Sequence, residues 1–127
     1  MGGISLKIKV GINGFGRIGR NVLRIVEEMP RDNFEVVAVN ARADAKTLAH
    51  LFKYDSCYGI FKGEVKVKDE NTITINNNEI KILRYGDPSE IPWKDLGVDI
   101  VVESTGKFVK REDCLKHLNN GAKKVII

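Results

Sequence analysis

The sequence predicts an α/β fold: a doubly wound, mostly parallel sheet with helices on both faces. Strand-like and helix-like segments alternate along most of the chain, which is the order that builds such a sheet. Between residues 62 and 85 the pattern changes to short alternating segments, which predict an inserted antiparallel meander. The chain has 127 residues, 43% of them hydrophobic and 30% charged, as expected for one globular domain.

Two strand–helix units form the first half of the predicted fold. Residues 7–13 alternate in polarity and 34–40 are a β-branched apolar run, so both are predicted strands. Residues 17–29 and 44–54 have the spacing of amphipathic helices, and Asp44 is a predicted N-cap. The side chains expected to face the core are Ile18, Val22, Ile25, Val26 and Met29 in the first helix, and Ala45, Leu48, Leu51 and Phe52 in the second.

The second half begins with the meander and returns to strand–helix order. The predicted meander strands are EVKVK, TITIN and EIKIL, with DEN and NNN as polar turns. Residues 87–93 are a predicted loop and 99–105 a buried strand. A helix is predicted over 110–121, ending at Gly121, and 122–127 begins a last strand.

Three glycines at the spacing G-x-G-x-x-G follow the first strand, in the stretch VGINGFGRIGRN. A motif that leaves a strand, opens a helix and lies within a βαβ unit is the fingerprint of a Rossmann-type dinucleotide-binding fold. Gly14 permits the tight turn, Gly16 lets the backbone approach the pyrophosphate, and Gly19 lets helix and strand pack closely. The helix start offers unpaired N–H groups and a positive dipole end to the phosphates.

The end of the second strand bears on the choice of cofactor. An acid is expected there to bind the adenosine ribose, but the sequence reads VAVNARAD. Asn40 is polar, Ala41 has no side-chain acceptor, and Arg42 could pair with a 2′-phosphate. The predicted cofactor is therefore NAD or NADP, and the missing acid favours NADP or the use of both. The alternative is that Asp44, or Asn40 alone, serves NAD.

Composition argues against several other classes of protein. No apolar run is long enough for a membrane span or a signal peptide, so we expect a cytoplasmic protein without a membrane partner. Cys57, Cys114, His50 and His117 have no metal-like spacing, which predicts no metal site and structural or surface roles for these residues. The net charge of +4 is spread along the chain, so nucleic acid is an unlikely partner.

Six stretches carry a resemblance to a known family. They are KVGINGFGRIGR, VAVN, DAKTLAHLFKYDSCYG, DPSEIPW, DIVVESTGKF and HLNNGAKKVII. In this order and spacing they resemble the N-terminal part of the glyceraldehyde-3-phosphate dehydrogenases, over nearly all 127 residues. The sister erythrose-4-phosphate dehydrogenases share the pattern.

The resemblance implies a homotetrameric enzyme that oxidises glyceraldehyde-3-phosphate with inorganic phosphate. The family's nucleophile is a cysteine in a Ser-Cys-Thr-Thr context, activated by a histidine of the second domain, and neither Cys57 nor Cys114 has that context. We therefore expect residues 1–127 to be the dinucleotide-binding domain, incomplete at its C-terminal end, with the catalytic domain absent. This chain alone is predicted to contain no catalytic residue and to be inactive. The alternatives are an isolated non-catalytic nucleotide-binding module and the cofactor domain of an erythrose-4-phosphate dehydrogenase.

The resemblance also implies further cofactor contacts. Backbone groups of Arg17 and Ile18 would meet the pyrophosphate, and 104–106 would line the dinucleotide with Phe108 packed near it. Many members have an acid–arginine pair beside the adenine, where this chain has Tyr85 and Gly86 and an arginine one position early. The full predicted cofactor-binding set is Gly14, Phe15, Gly16, Arg17, Ile18, Gly19, Asn40, Ala41, Arg42, Ser104, Thr105, Gly106 and Phe108.

Overall fold

A computed structural model describes residues 7–28, 33–54, 59–107 and 110–127, and these ranges form one seven-stranded sheet flanked by helices. The strands are β1 Ile8–Asn13, β2 Phe34–Asn40, β3 Val65–Asp69, β4 Thr72–Ile75, β5 Asn78–Leu83, β6 Ile100–Glu103 and β7 Lys124–Ile126. The helices are α1 Arg17–Glu28, α2 Ala45–Tyr54 and α3 Arg111–Asn119.

The sheet has the order β3-β4-β5-β2-β1-β6-β7. Strands β5, β2, β1, β6 and β7 run parallel, while β3, β4 and β5 form an antiparallel meander. The predicted α/β fold with an inserted meander is therefore confirmed. Strand β1 has β2 on one side and β6 on the other, so the direction of winding reverses beside β1. Open α/β sheets bind ligands at such a switch point, outside the carboxyl ends of the strands.

Two hydrophobic clusters cover the two faces of the sheet. The cluster beneath α1 and α2 includes Ile12, Leu23 and Phe52, all at most 2% exposed. The cluster on the opposite face is built around Trp93 and Val101, both fully buried. Alternate residues of β1 therefore point into different cores, as a strand covered on both faces requires.

The predicted core-facing side of α1 was wrong at two positions. Ile18 and Ile25 are 64% and 55% exposed, and Leu23 is fully buried instead. The cause is Gly19, one turn before Leu23, where a Cβ atom would lie only 2.3 Å from the Gly14 carbonyl oxygen. This close approach presses the Gly19–Leu23 row against the sheet and turns both isoleucines outward.

The other predictions for the helices hold where the structure describes them. Val22, Val26, Ala45, Leu48, Leu51 and Phe52 are buried or half-buried, and Met29 lies outside the described residues. Asp44 caps α2, because its Oδ1 atom accepts a hydrogen bond from Thr47 N at 2.8 Å. Gly121 has a φ of +111° just after α3, as a glycine that ends a helix should. The loop predicted over 87–93 was incomplete, since Pro88–Glu90 form one turn of 3-10 helix capped by Asp87.

A substitution at Gly11 tests how tightly the second cluster is packed against β1. A Cβ atom there would lie 2.4 Å from Cζ3 of Trp93, and this indole is fully buried. We expect Gly11→Ala to lower the free energy of unfolding by about 1–3 kcal/mol, the usual cost of overpacking a core. Urea unfolding measures the loss. Gly86→Ala is the control, because no atom of the described ranges lies within 4 Å of its Cβ position. Equal unfolding midpoints for the two variants would contradict the prediction.

Candidate functional site

The carboxyl ends of β1, β2 and β6 open into a cleft of about 340 Å³. Most of the predicted cofactor-binding residues line it: Gly14, Phe15, Gly16, Asn40, Ala41, Arg42, Ser104 and Thr105. Four predicted residues do not: Arg17, Ile18 and Gly19 lie in the first turn of α1, and Gly106 lies in the turn after β6. Phe108 lies outside the described residues.

The three glycines of the motif have three different surroundings. Gly14 has a φ of +97°, and a Cβ atom there would lie 2.9 Å from the backbone nitrogen of Thr105. Gly19 is needed for the close contact with the Gly14 carbonyl. Gly16 is the exception, since nothing in the described chain lies within 4 Å of its Cβ position. Packing thus accounts for Gly14 and Gly19 but not for Gly16, whose missing side chain leaves open space beside the start of α1.

A buried carboxylate, that of Glu103 at the end of β6, organises the floor of the cleft. Its Oε1 atom accepts from Asn13 Nδ2 at 2.6 Å and lies 2.8 Å from His117 Nε2. Its Oε2 atom accepts from Thr105 N at 3.1 Å and from Thr105 Oγ1 at 2.7 Å. Glu103 is only 3% exposed, and burial raises its pKa. The hydrogen bonds from His117, Thr105 and Asn13 outweigh this and hold the pKa of Glu103 below its ordinary value.

His117 is fully buried, and its neighbours fix its tautomer. The indole Nε1–H of Trp93, which can only donate, lies 2.9 Å from His117 Nδ1. Nδ1 is therefore the acceptor, and Nε2 carries the proton that is donated to Glu103. Both ring nitrogens are occupied, so this imidazole is a structural hydrogen-bond donor. The sequence-based expectation of a packing role for His117 agrees with this geometry.

Asn40, at the end of β2, uses its side chain to hold the opposite wall. Its Nδ2 donates to Asn13 Oδ1 and to the Tyr85 carbonyl, both at 2.8 Å. Its Oδ1 accepts from Tyr85 N, also at 2.8 Å. Asn40 therefore ties β1 to the segment after β5, and both of its amide hydrogens are already used.

Among the residues that the structure describes, none with a carboxylate lines the expected ribose corner of the cleft. Ala41 and the exposed Arg42 line this corner, and the Arg42 guanidinium has no partner among the residues that the structure describes. Asp44 does not line the cleft, and its carboxylate caps α2 through Thr47, which lowers the pKa of Asp44. Arg84 is also engaged elsewhere, since its guanidinium lies within 3.4 Å of the Glu70 and Ala43 carbonyl oxygens.

Several lining residues were missed by sequence reasoning. They are Asn13, Ala43, Leu48, Leu51 and Lys107, while Tyr85 and Gly86 were noted only for the adenine. Asn13 had a signal in the sequence, because a single polar residue ends each of the apolar strands β1, β2 and β6. The carboxyl ends of parallel strands lie at one edge of the sheet, so Asn13, Asn40 and Glu103 are expected to lie close together.

Two further observations concern the described ranges only. None of their helices combines the length and the apolar character that crossing a bilayer needs. Likewise, no three His, Cys, Asp or Glu side chains of these ranges cluster in a way that could hold a metal ion.

The parallel sheet, the glycine turn at a helix start and the cleft at the switch point together define a dinucleotide-binding domain of the Rossmann type. The family model "Glyceraldehyde 3-phosphate dehydrogenase, NAD binding domain" matches residues 8–111. The chain therefore belongs to this family and is its NAD-binding domain.

Relatives agree with this assignment. The chain is 57% identical over 122 residues to a glyceraldehyde-3-phosphate dehydrogenase of Geobacillus stearothermophilus, a match that covers 96% of this chain and 36% of that protein. It is 56% identical over 119 residues to that of Thermotoga maritima, covering 94% and 35%. It is also 56% identical over 122 residues to a chloroplastic one of Arabidopsis thaliana, covering 95% and 28%. The chain thus spans about a third of the length of the proteins it matches.

The hydrogen bonds to Glu103 predict how the stability of the fold depends on pH in the acid range. Because they hold its pKa below the ordinary 4.5, they stabilise the fold fully above about pH 4.5, and that contribution is lost as the pH falls through the lower folded value. Glu103→Gln should lack this contribution throughout. At neutral pH its free energy of unfolding should therefore be lower by about 1.5–3 kcal/mol, the scale of a hydrogen bond to a charged group. Urea unfolding at a series of pH values should then show a flatter acid limb for the variant. Parallel acid limbs would contradict the assignment.

Proposed function

We propose that the cleft holds the dinucleotide with its pyrophosphate over Gly16 and the first turn of α1. The observation that carries this proposal is the open space at the Gly16 Cβ position, which packing against the described residues does not explain. Helix α1 begins at Arg17, directly after Gly16, so the first N–H groups of the helix lack intrahelical acceptors. Unpaired N–H groups at the positive end of a helix dipole are a ready site for phosphate.

We propose further that this domain serves a phosphorylating glyceraldehyde-3-phosphate dehydrogenase. In that reaction the aldehyde is oxidised with inorganic phosphate to the 1,3-bisphosphate, and the dinucleotide takes the hydride. These 127 residues supply the binding, and the thiol nucleophile and its base come from outside them. The support is that His117 has both nitrogens occupied, and that Cys114 lies half-buried on α3. Cys57 lies outside the described residues.

The oligomeric state and the cellular location of the whole protein are also proposals. The family resemblance supports a homotetramer, and exposed apolar side chains such as Ile18 and Ile25 offer surface that further contacts could cover. The same resemblance and the composition support a cytoplasmic location without a membrane partner, although one relative is named chloroplastic.

A valine at Gly16 tests the pyrophosphate position directly. Because no described residue lies within 4 Å of the Cβ position, Gly16→Val should leave the unfolding midpoint close to that of the unsubstituted chain. The branched side chain would occupy the space that we assign to the pyrophosphate, so NAD affinity should fall at least about a hundredfold, the scale of losing two charge-assisted hydrogen bonds. Calorimetric titration with NAD measures the loss. The NAD affinity of Gly16→Ala should lie between those of the unsubstituted chain and Gly16→Val. An unchanged dissociation constant in the folded valine variant would refute the proposed site.

We also propose that this site accepts NADP at least as well as NAD. The support is that Ala41 has no carboxylate and that the Arg42 guanidinium beside it has no partner in the described part of the chain. A carboxylate there would bind the ribose of NAD and repel a 2′-phosphate, and its absence removes both effects. Neither alternative acceptor is well placed, because the Asp44 carboxylate caps α2 and Asn40 Oδ1 already accepts a hydrogen bond from Tyr85 N.

Restoring the acid should reverse this preference. An arginine–phosphate contact contributes about 1.5–3 kcal/mol, roughly tenfold to a hundredfold in affinity, reduced by salt. We expect Ala41→Asp to weaken NADP more than it strengthens NAD, since repulsion is added to the lost pairing. Titration of both cofactors in low salt measures the ratio.

One arginine variant and one lysine variant complete this experiment. Arg42→Ala should weaken NADP and leave NAD nearly unchanged, whereas Lys46→Ala, which removes a charge outside the cleft, should change neither. A wild-type chain that binds NAD tightly and NADP not at all would show that something other than Ala41 and Arg42 excludes the phosphate.

A further inference from the structure

A continuous line of hydrogen bonds runs from beneath α3 to the floor of the cleft. It begins at the indole of Trp93, passes through the imidazole of His117 and reaches the carboxylate of Glu103, over distances of 2.9 and 2.8 Å. All three side chains are at most 3% exposed. None of them lines the cleft.

At Glu103 the line divides into two branches, and both end on residues that do line the cleft. One branch passes through Asn13 to Asn40 and then to the backbone of Tyr85. The other holds the backbone N–H and the hydroxyl of Thr105. The carboxylate therefore joins the side chains of the two walls, beside the hydrogen bonds that Ser104 donates to the Asn13 and Gly14 carbonyl oxygens.

The network has little freedom to rearrange. Trp93 locks the tautomer of His117, and Asn40 has no spare amide hydrogen. In the described part of the chain, no buried side-chain nitrogen or oxygen lacks a hydrogen-bond partner. Loss of one donor to Glu103 would leave a buried charge short of a partner, and the carboxylate would move toward its remaining donors.

We propose that Glu103 and His117 are positioning residues of the dinucleotide site, which set cofactor affinity by fixing the two walls of the cleft without touching the ligand. The imidazole acts as a buried donor that anchors the carboxylate from the far side of the sheet. The carboxylate in turn holds Asn13 and Thr105 where the dinucleotide needs them. This inference rests on the proposed binding of the dinucleotide in the cleft.

Two substitutions of His117 separate hydrogen bonding from packing. In His117→Gln the amide nitrogen can reach the position of Nε2 and still donate to Glu103. In His117→Asn the shorter side chain can still accept a hydrogen bond from Trp93, but its amide nitrogen does not reach the Glu103 carboxylate. We expect His117→Gln to keep NAD affinity within about twofold, and His117→Asn to weaken it about tenfold, the scale of one hydrogen bond to a charged group.

Calorimetry with NAD, and hydrogen exchange of the Tyr85 amide, give the two readouts. That amide is bonded to Asn40 at the far end of the network, so its protection should fall in His117→Asn and not in His117→Gln. Val98→Ala is the matched control for stability, because Val98 is buried in the same cluster as Trp93 and has no part in the network. It should lower the unfolding midpoint and leave NAD affinity and Tyr85 exchange unchanged.

If His117→Asn does not fold, Glu103→Gln provides the same test at the other end of the bond, since an amide nitrogen would then face two donors. Equal weakening in both histidine variants, or weakening in Val98→Ala that matches its loss of stability, would overturn the positioning role. Unchanged affinity in both His117→Asn and Glu103→Gln would overturn it as well. A wild-type chain that does not bind NAD at all would instead refute the proposed function.

Discussion

The rest of the structure depends on the burial of one negative charge at the carboxyl end of β6. A carboxylate removed from water is tolerated only when its oxygens are fully hydrogen-bonded, because an uncompensated buried charge costs several kcal/mol. Glu103 obtains its donors from β1, from the turn after β6 and from α3. These elements must therefore meet at one point, and that point is the floor of the cleft.

Chain elements far apart in sequence are joined by this requirement. Asn13 and Glu103 are separated by 90 positions, and Asn13 and Asn40 by 27. Because the strands are parallel, their last residues lie side by side, and one polar residue per strand suffices to link them. The ends of β1, β2 and β6 form a rigid polar edge over two apolar cores, and the glycine turn between β1 and α1 is built on that edge.

Much of this fold could be predicted from the sequence, because local patterns determine it. Alternation gave the meander, the β-branched run gave β2, and three glycines between a strand and a helix gave the cleft. The helical period could not tell which of two neighbouring rows of α1 would face the sheet, since Ile18 and Leu23 fit the same pattern nearly equally well. The contact between Gly19 and Gly14, which decided it, is a tertiary distance. The place of Glu103 at the end of a parallel strand indicates that it lies near Asn13, but its hydrogen bond to His117 is a tertiary contact that no local pattern indicates.

The cleft divides its residues into two groups with different freedom to change. Asn13, Asn40 and Thr105 have their side-chain polar atoms committed to one another, to Glu103 or to the Tyr85 backbone, so replacing them costs stability. The side chains of Arg42 and Lys107 line the same cleft and have no partner within the described residues. Their replacement leaves no buried group unsatisfied, and Ala41 beside Arg42 contributes only a methyl group. If the ribose end of the dinucleotide binds at Ala41 and Arg42, as we propose, a substitution there can change the choice of cofactor without changing the network that holds the fold.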